Sequence, residues 1–432
     1  MASPLLNVSW DQCLLDPAPD REAELALRRE TGSAPGWIRY FLSCPWLPRA
    51  AIRLGIDNKL LLDLDFPTVD LIALVVSQEN SCRYCYAVTR MALRVLGMSE
   101  ERMQQLEQRL ASGDLELKAA AAVLFARRMT RATPLMTPQD LEPMRAAGYR
   151  DAEIREIAFS VAFIAFFNRI STIPALPPQS WEQLADRWFM RLFRPLFARM
   201  VRGWRKHGQP ASFARPPEGP FAGLLLQFEG SPIGPVLACA LNDLWASPIL
   251  SRRSKALMFA VIGRGLGCQS SGDEIAGVLE AEGLTAADAE QILAHLGGPG
   301  MGAEEIALLA FARDTIWYEP IQIQRRAREL LEPLHALLAH TEDPQLHARD
   351  RVAVAARVLL AHHQRDQVQR REIEVHQQLV AYAQPDCRLG QPGAAQEITY
   401  PTRRGAGFAA QRRLGLPIRR RIEQAFVPAH LE

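Results

Sequence analysis

An all-α protein made of two similar helical halves is the architecture this sequence predicts, and three observations lead there. Apolar residues recur at helical spacing along most of the chain. No segment keeps the two-residue alternation of a half-buried strand, and no Asn-Gly or Asp-Gly pair joins two strand-like runs. A stretch of the first half also returns in the second half in one unbroken register. The bulk numbers agree with a soluble globular protein. The chain has 432 residues, 48% of them hydrophobic and 23% charged, enough for two or three domains. The formal net charge is +2, so no general attraction to nucleic acid or to acidic membranes is expected. No basic segment precedes an apolar run at the N-terminus, and the apolar runs fall short of the ~20 residues that span a bilayer. The expected setting is the cytoplasm.

The helices can be read in order. The run KAAAAVLFARRMTR at 118–131 is rich in Ala, Leu and Arg, which favour helix. Thr137 opens TPQDLEPMRAAG, a cap followed by Pro and acids, and predicts a helix start. Residues 151–169 predict a long helix whose continuous apolar middle must be buried. The Pro-rich run IPALPPQ at 173–179 breaks the chain. A basic and aromatic helix is expected at 181–204, kinked at Pro195 and packed across the two halves, with a second break at 209–219. The division expected is a first domain at 1–178, a helical linker at 179–219, a second domain at 220–383, and a basic Pro/Gly-containing tail at 384–432.

The repeat is the most informative feature. The run SCRYCYAVTRMALRVLGMSEERMQQLEQRL from Ser81 aligns with GCQSSGDEIAGVLEAEGLTAADAEQILAHL from Gly267, an offset of 186 positions. Cys82 falls on Cys268, Cys85 on Ser271, Gly97 on Gly283, and Ser99 on Thr285. The same offset carries Phe125-Ala126-Arg127 onto Phe311-Ala312-Arg313 and Pro134 onto Pro320. Each half therefore reads as helix, Gly stop, Ser/Thr cap, helix, and a further helix. A gapless register over roughly fifty residues predicts a duplication.

The chain has seven cysteines, an odd number with one close pair, which is not the dense framework of a small secreted domain. Cys82 and Cys85 stand at the spacing Cys-x-x-Cys. At a helix start, with Asn80 or Ser81 as the cap, the free N–H groups and the helix dipole favour a thiolate. A thiolate attacks a peroxide or a disulfide, and a neighbouring thiol resolves the product. Two other readings stay open on the residues alone. The pair is half of a zinc site that needs two more ligands, or it is two inert buried thiols. The first histidine of the chain is His207, so the first half supplies no imidazole to a metal. Cys44 is a candidate for lining the same pocket, and Cys239 reads as a core residue.

The run from Asp70, DLIALVVSQENSCRYCYAVTRMALRVLGMSEE, resembles the signature of the alkylhydroperoxidase D-like and carboxymuconolactone decarboxylase-like proteins. Asn168-Arg169, followed by a Pro-containing turn, resembles the peroxidase-related members. The resemblance covers most of 35–178, with a weaker copy over about 220–380. It implies two fused alkylhydroperoxidase D-like helical domains. It also implies that Cys85 becomes the sulfenic acid, that Cys82 donates a proton and closes the disulfide, and that Asp70 is the relay carboxylate, normally Glu. Helix electrostatics instead make Cys82 the more acidic thiol. Thr89 stands where the redox members carry His, and threonine does not ionise near neutral pH. Tyr84, Glu79, or a histidine of the second half (His295, His335 or His362) are the candidate substitutes. In the second copy Ser271 replaces the second thiol and Ala256 the carboxylate, so this copy is expected to be structural.

The function expected first is a thiol-dependent peroxidase or disulfide oxidoreductase, with a thiol reductant protein as partner and no bound cofactor or metal. The alternatives are a non-catalytic oligomeric scaffold or ligand-binding protein, and an acid–base enzyme of the carboxymuconolactone decarboxylase type. The resemblance implies a homo-oligomer in which three fused chains mimic a hexamer.

Overall fold

The computed structural model describes residues 13–338, apart from 56–58, 113–114, 132–135, 178–194, 197, 200, 204, 299 and 317–318. The tail at 384–432, His362 and most of the expected linker helix lie outside the described residues. Of that linker helix, 195–196, 198–199 and 201–203 are described and helical. The described residues contain helices and turns but no strand, so the fold class is all-α.

The first half contains α1 (Arg21–Thr31), α2 (Trp46–Arg53), α3 (Phe66–Glu79), α4 (Arg83–Val95), α5 (Glu100–Ser112), α6 (Leu117–Thr130), the short α7 (Glu142–Ala146) and α8 (Asp151–Thr172). The local chemistry explains the boundaries. Asp65 caps α3 by accepting the Thr68 N–H, and Pro67 sits in the first turn, where no N–H is needed. Thr137 and Asp140 form a reciprocal capping box ahead of α7. Helix α8 is buried along almost its whole length, as its unbroken apolar middle requires. It packs with α6 against α3, and α4 closes the same group.

A buried carboxylate fixes the entry to this group. Glu156 on α8 accepts the backbone N–H groups of Leu62 (2.5 Å), Asp63 (3.0 Å) and Leu64 (2.6 Å). Those donors belong to the segment that leads into α3, so one side chain ties the start of α3 to α8. Glu156→Gln would turn an amide N–H toward donors that need an acceptor. It is expected to lower unfolding stability by about 2–4 kcal/mol, since each buried unsatisfied group costs ~1–3 kcal/mol. Urea denaturation measures this, and a loss under about 0.5 kcal/mol would refute the anchor.

The second half contains α9 (Ala222–Leu226), α10 (Ile233–Ala246), α11 (Arg252–Leu266), α12 (Gln269–Ala281), α13 (Ala286–His295), α14 (Ala303–Asp314) and α15 (Pro320–Leu338). Four consecutive helices, α3 to α6 and α11 to α14, begin at residues 66, 83, 100, 117 and 252, 269, 286, 303, each pair 186 positions apart. The turns agree as well. Gly97 and Gly283 both hold a left-handed φ, 108° and 82°, after their helices. Helix α11 packs against α12, α13 and α14 much as α3 packs against α4 and α6. Lys255 is buried on α11 and donates to the carbonyls of Leu244, Trp245 and Ser247, closing the C-terminal end of α10.

The halves share one hydrophobic core. Helix α2 packs on α10, with Arg49 paired to Asp243 at 3.3 Å. There Arg53 Nη1 donates to Cys239 Sγ at 3.3 Å, and the two positions are 186 apart. Phe159 of α8 meets Phe228 edge to face, with ring centres 6.3 Å apart. Cys239 is thus half-buried at the contact between the halves rather than deep in a core. No helix among the described residues is long and apolar enough to cross a membrane.

Candidate active site

The turn between α3 and α4 brings both cysteines of the pair to one place. Asn80 ends α3 as its C-cap, and Ser81 takes a left-handed φ of 49° to reverse the chain. Neither caps α4, as their sequence positions suggested. The cap is Cys82 itself, whose Sγ accepts the Cys85 N–H at 3.4 Å. The left-handed turn spends Ser81 on the reversal and leaves the next residue, in extended backbone, to face the helix start. Cys82 is 0% exposed and Cys85 8% exposed.

A serine on α8 completes the arrangement. Ser171 Oγ lies 3.4 Å from Cys82 Sγ and 3.3 Å from Cys85 Sγ. The same oxygen is 2.6 Å from the Phe167 carbonyl. A hydroxyl has one proton and two lone pairs. With its proton on the Phe167 carbonyl, Ser171 can accept from both thiols. With its proton turned to sulfur, it can solvate a thiolate. Both sulfurs are free thiols here.

The electrostatics separate the two cysteines. Burial works to raise the Cys82 thiol. Hydrogen bonds from the Cys85 thiol and Ser171, the nearby Thr172 hydroxyl and the Cys85 N–H outweigh it and bring Cys82 down to about 7. Burial and the Cys82 sulfur push Cys85 well above the ordinary thiol value. Tyr84 is buried beside Phe167, with ring centres 6.4 Å apart. Burial and the two sulfurs raise its phenol far above the neutral range, so it can act only as a neutral hydroxyl. Burial pushes the Cys44 thiol up to about 12, so it stays protonated near neutral pH.

The other sequence candidates are distributed differently. Asp70 is near the opposite end of the α3–α4 hairpin, where Arg205 binds it with two parallel bonds of 2.8 and 2.9 Å. It lines a cavity with Leu93 and Leu96, about a turn or more beyond Thr89. Thr89 is half-buried on α4, one turn after Cys85. Glu79 is paired with Arg127 (3.1 Å) and Arg131 (3.2 Å) on the α6 side. His295 is exposed at the C-terminal end of α13, and the His335 side chain lies outside the described residues. Among the described residues, no three His, Cys, Asp or Glu side chains are grouped closely enough to hold a metal ion.

Three residues at these sites escape a reading of the sequence. Ser171 is 86 positions from Cys85 in an apolar helix, with no motif around it. Arg205 comes from within the linker to take Asp70. His207 stacks on Phe66 with ring centres 5.4 Å apart and lies 3.0 Å from the Leu64 carbonyl, at the Asp70 end rather than the thiol end.

The second half repeats the backbone of the turn but not its filling. Cys268 is the N-cap of α12, with φ −86° and ψ 105° against −84° and 94° at Cys82. In the first half, Tyr86 and Arg90 fill the space between α4 and α5, both bonded to Glu107. Their counterparts, Gly272 and Ala276, leave a cavity of about 1120 Å³ that reaches Cys268. The Ser271 side chain lies outside the described residues.

No protein-family model and no curated protein matches the chain. Among solved structures, the chain is similar to an uncharacterized peroxidase-related protein from Silicibacter sp. TM1040. The identity is 25% over 39% of this chain and 91% of that one, with a TM-score of 0.32.

Proposed function

We propose that the first half is a thiol redox site that reduces a hydroperoxide, or exchanges with a disulfide, through Cys82 and Cys85. The observation that supports this best is the meeting of both sulfurs on one hydroxyl at the start of α4, with Cys82 as the cap. Cys82 is the attacking thiolate on this reading, because its thiol is the lowered one. This reverses the roles that the family resemblance implies.

The steps balance without a metal or an organic cofactor. The Cys82 thiolate attacks one oxygen of the hydroperoxide. An S–O bond forms as the O–O bond breaks, and the alkoxide leaves as the alcohol after taking a proton from solvent. Cys85 then gives up its proton toward the departing hydroxide through Ser171, and its sulfur closes the S–S bond as water is released. Two thiols and one hydroperoxide become a disulfide, an alcohol and water. A dithiol, free or on a reductant protein, restores the thiols by exchange. Ser171 carries the proton between the sulfurs that histidine carries in the redox members of the family the sequence resembles.

The fused architecture belongs to the same proposal. The chain is a tandem pair, with a first domain at 1–178, a linker at 179–219, a second domain at 220–383 and a tail at 384–432. The four helix starts in register support the duplication. The second copy has lost one thiol and serves as a structural partner. The acid–base alternative is disfavoured, because the carboxylate it would use, Asp70, is bound at both oxygens by Arg205.

Intact-mass analysis of the reduced protein after brief hydroperoxide treatment, followed by peptide mapping, tests the reading. The expected result is rapid loss of two hydrogens, localised to a Cys82–Cys85 bond and reversed by a dithiol. No rapid change at these two residues would reject the redox site and favour the scaffold.

A further inference from the structure

Helix α15 brings a buried glutamine of the second half onto the helix that carries Ser171. Gln324 is 3% exposed, and its neighbours Ile323 and Ala327 belong to the core shared by the halves. Its amide Nε2 donates to the Thr172 carbonyl at 2.5 Å, across 152 positions of the chain. A primary amide gives up its water on burial, and a bond of this kind offsets the loss.

The carbonyl it meets belongs to the last turn of α8. The chain reverses there in a Schellman-type end, in which the Leu176 N–H donates to the Ser171 carbonyl (2.9 Å) and the Ala175 N–H to the Thr172 carbonyl (3.1 Å). Glycine is the usual left-handed residue of such an end. Here it is Ala175, at φ 54°, and its Cβ opposes that conformation. A carbonyl oxygen has two lone pairs, and Gln324 gives the Thr172 carbonyl a second donor from outside the turn.

The thiols meet the same turn. Ser171 Oγ lies 3.4 Å from Cys82 Sγ and 3.3 Å from Cys85 Sγ, so a shift of the turn moves one hydroxyl relative to both sulfurs at once. The contact with Gln324 is not a feature of the repeat. At the 186-position offset Gln324 falls on Pro138, which has no side-chain donor and opens a short 3-10 turn rather than a long helix.

We propose that Gln324 is a positioning residue for the thiol site: by donating to the Thr172 carbonyl it fixes the last turn of α8, and with it the Ser171 hydroxyl against both sulfurs. The second half thereby sets the geometry of the first half's site. The functional meaning of that geometry rests on the redox reading above.

Titration of the full chain tests this, with the Cys82 ionisation read as the difference in ultraviolet absorbance between each chain and its Cys82→Ser counterpart. The ionisable groups on the elements packed here, Glu79 on α3, Arg83, Tyr84 and Cys85 on α4 and Arg169 on α8, are the same in every chain compared. Gln324→Met keeps the length of the side chain and removes the donor. Its Cys82 midpoint is expected to rise by about 0.5–1 pH unit, a part of the shift expected on losing the Ser171 hydroxyl itself. In a Ser171→Ala background the same substitution should add nothing, because the hydroxyl through which it acts is gone. An unchanged midpoint in a folded Gln324→Met chain, or a rise as large without Ser171 as with it, would overturn the proposal. If Gln324→Met lowers the unfolding transition below the assay temperature, Gln324→Asn, whose amide is one methylene short of the carbonyl, is read in the same way. The readout is an ionisation and not turnover. A shifted midpoint in a chain that forms no Cys82–Cys85 bond with hydroperoxide therefore supports the role of Gln324 and rejects the redox reading alone.

Discussion

Cys85→Ser is expected to leave Cys82 as a sulfenic acid after one equivalent of hydroperoxide, trapped by a dimedone-type reagent and located by peptide mapping. With its partner thiol removed, Cys82 can still attack, but nothing closes the S–S bond. Cys82→Ser should stop the first step. It removes the thiolate brought down to about 7 and leaves Cys85, whose thiol is pushed well above the ordinary value. Peroxide consumption should fall by at least about 10²-fold in either variant, and the double variant should be no worse than Cys82→Ser alone, because the pair acts as a unit. The trapping result decides between the two assignments. A sulfenic acid on Cys85 in the Cys82→Ser chain, with none on Cys82 in the reciprocal variant, would restore the order that the sequence resemblance implies.

Ser171→Ala should shift the ionisation of Cys82 upward. A hydrogen bond to a charged group contributes ~1.5–3 kcal/mol, which is about one to two pH units on a titration midpoint. The thiolate's ultraviolet absorbance, read as the difference between each chain and its Cys82→Ser counterpart, follows this directly. The midpoint of the lowest-titrating thiol should rise from about 7 toward the ordinary thiol value. The sign for stability follows from the same shift. The folded Cys82 thiol is lowered relative to the unfolded chain, so the stabilisation is present in full above the ordinary thiol value and is lost as pH falls through about 7. Ser171→Ala should flatten that dependence, and Ser171→Thr should restore part of it. A hydroxyl that merely fills space would leave the midpoint near 7 in all three chains.

Much of the framework could be read from the chain because it rests on local rules. The capping chemistry at Thr137 and the apolar continuity of 151–169 each correspond to an observed element, and four pairs of helix starts fall at the 186-position offset. The Cys pair was legible from its spacing and its place at a helix start. Its surroundings were not. Ser171 belongs to a helix whose pattern reports only burial, and nothing in an apolar run distinguishes a serine that touches sulfur from one that returns its proton to the preceding turn. Asp70 has a partner that the sequence hides. The resemblance implies a relay carboxylate at this position, and Arg205, 135 positions later, binds both of its oxygens. The cap was misplaced because asparagine and serine are the usual candidates, whereas the left-handed turn at Ser81 moved the role one residue on to a thiol.

On the duplication proposed above, Arg53 touching Cys239 has a consequence for how the two halves diverged. A position in contact with its own counterpart lies on a twofold axis, and in a dimer of identical chains any residue there must be compatible with itself. Two arginines would repel at such a point. A single polypeptide carrying both halves is released from that rule, because each side of the axis is encoded separately, and an arginine can settle against a sulfur. On the duplication proposed above, the same release reaches the turn before α12. Packing there still demands the helix and its Cys268 cap, whereas the second thiol is needed once per molecule and has been kept once. On that proposal, covalent joining turns a symmetric pair into a molecule with a working face and a supporting face, each free to change without the other.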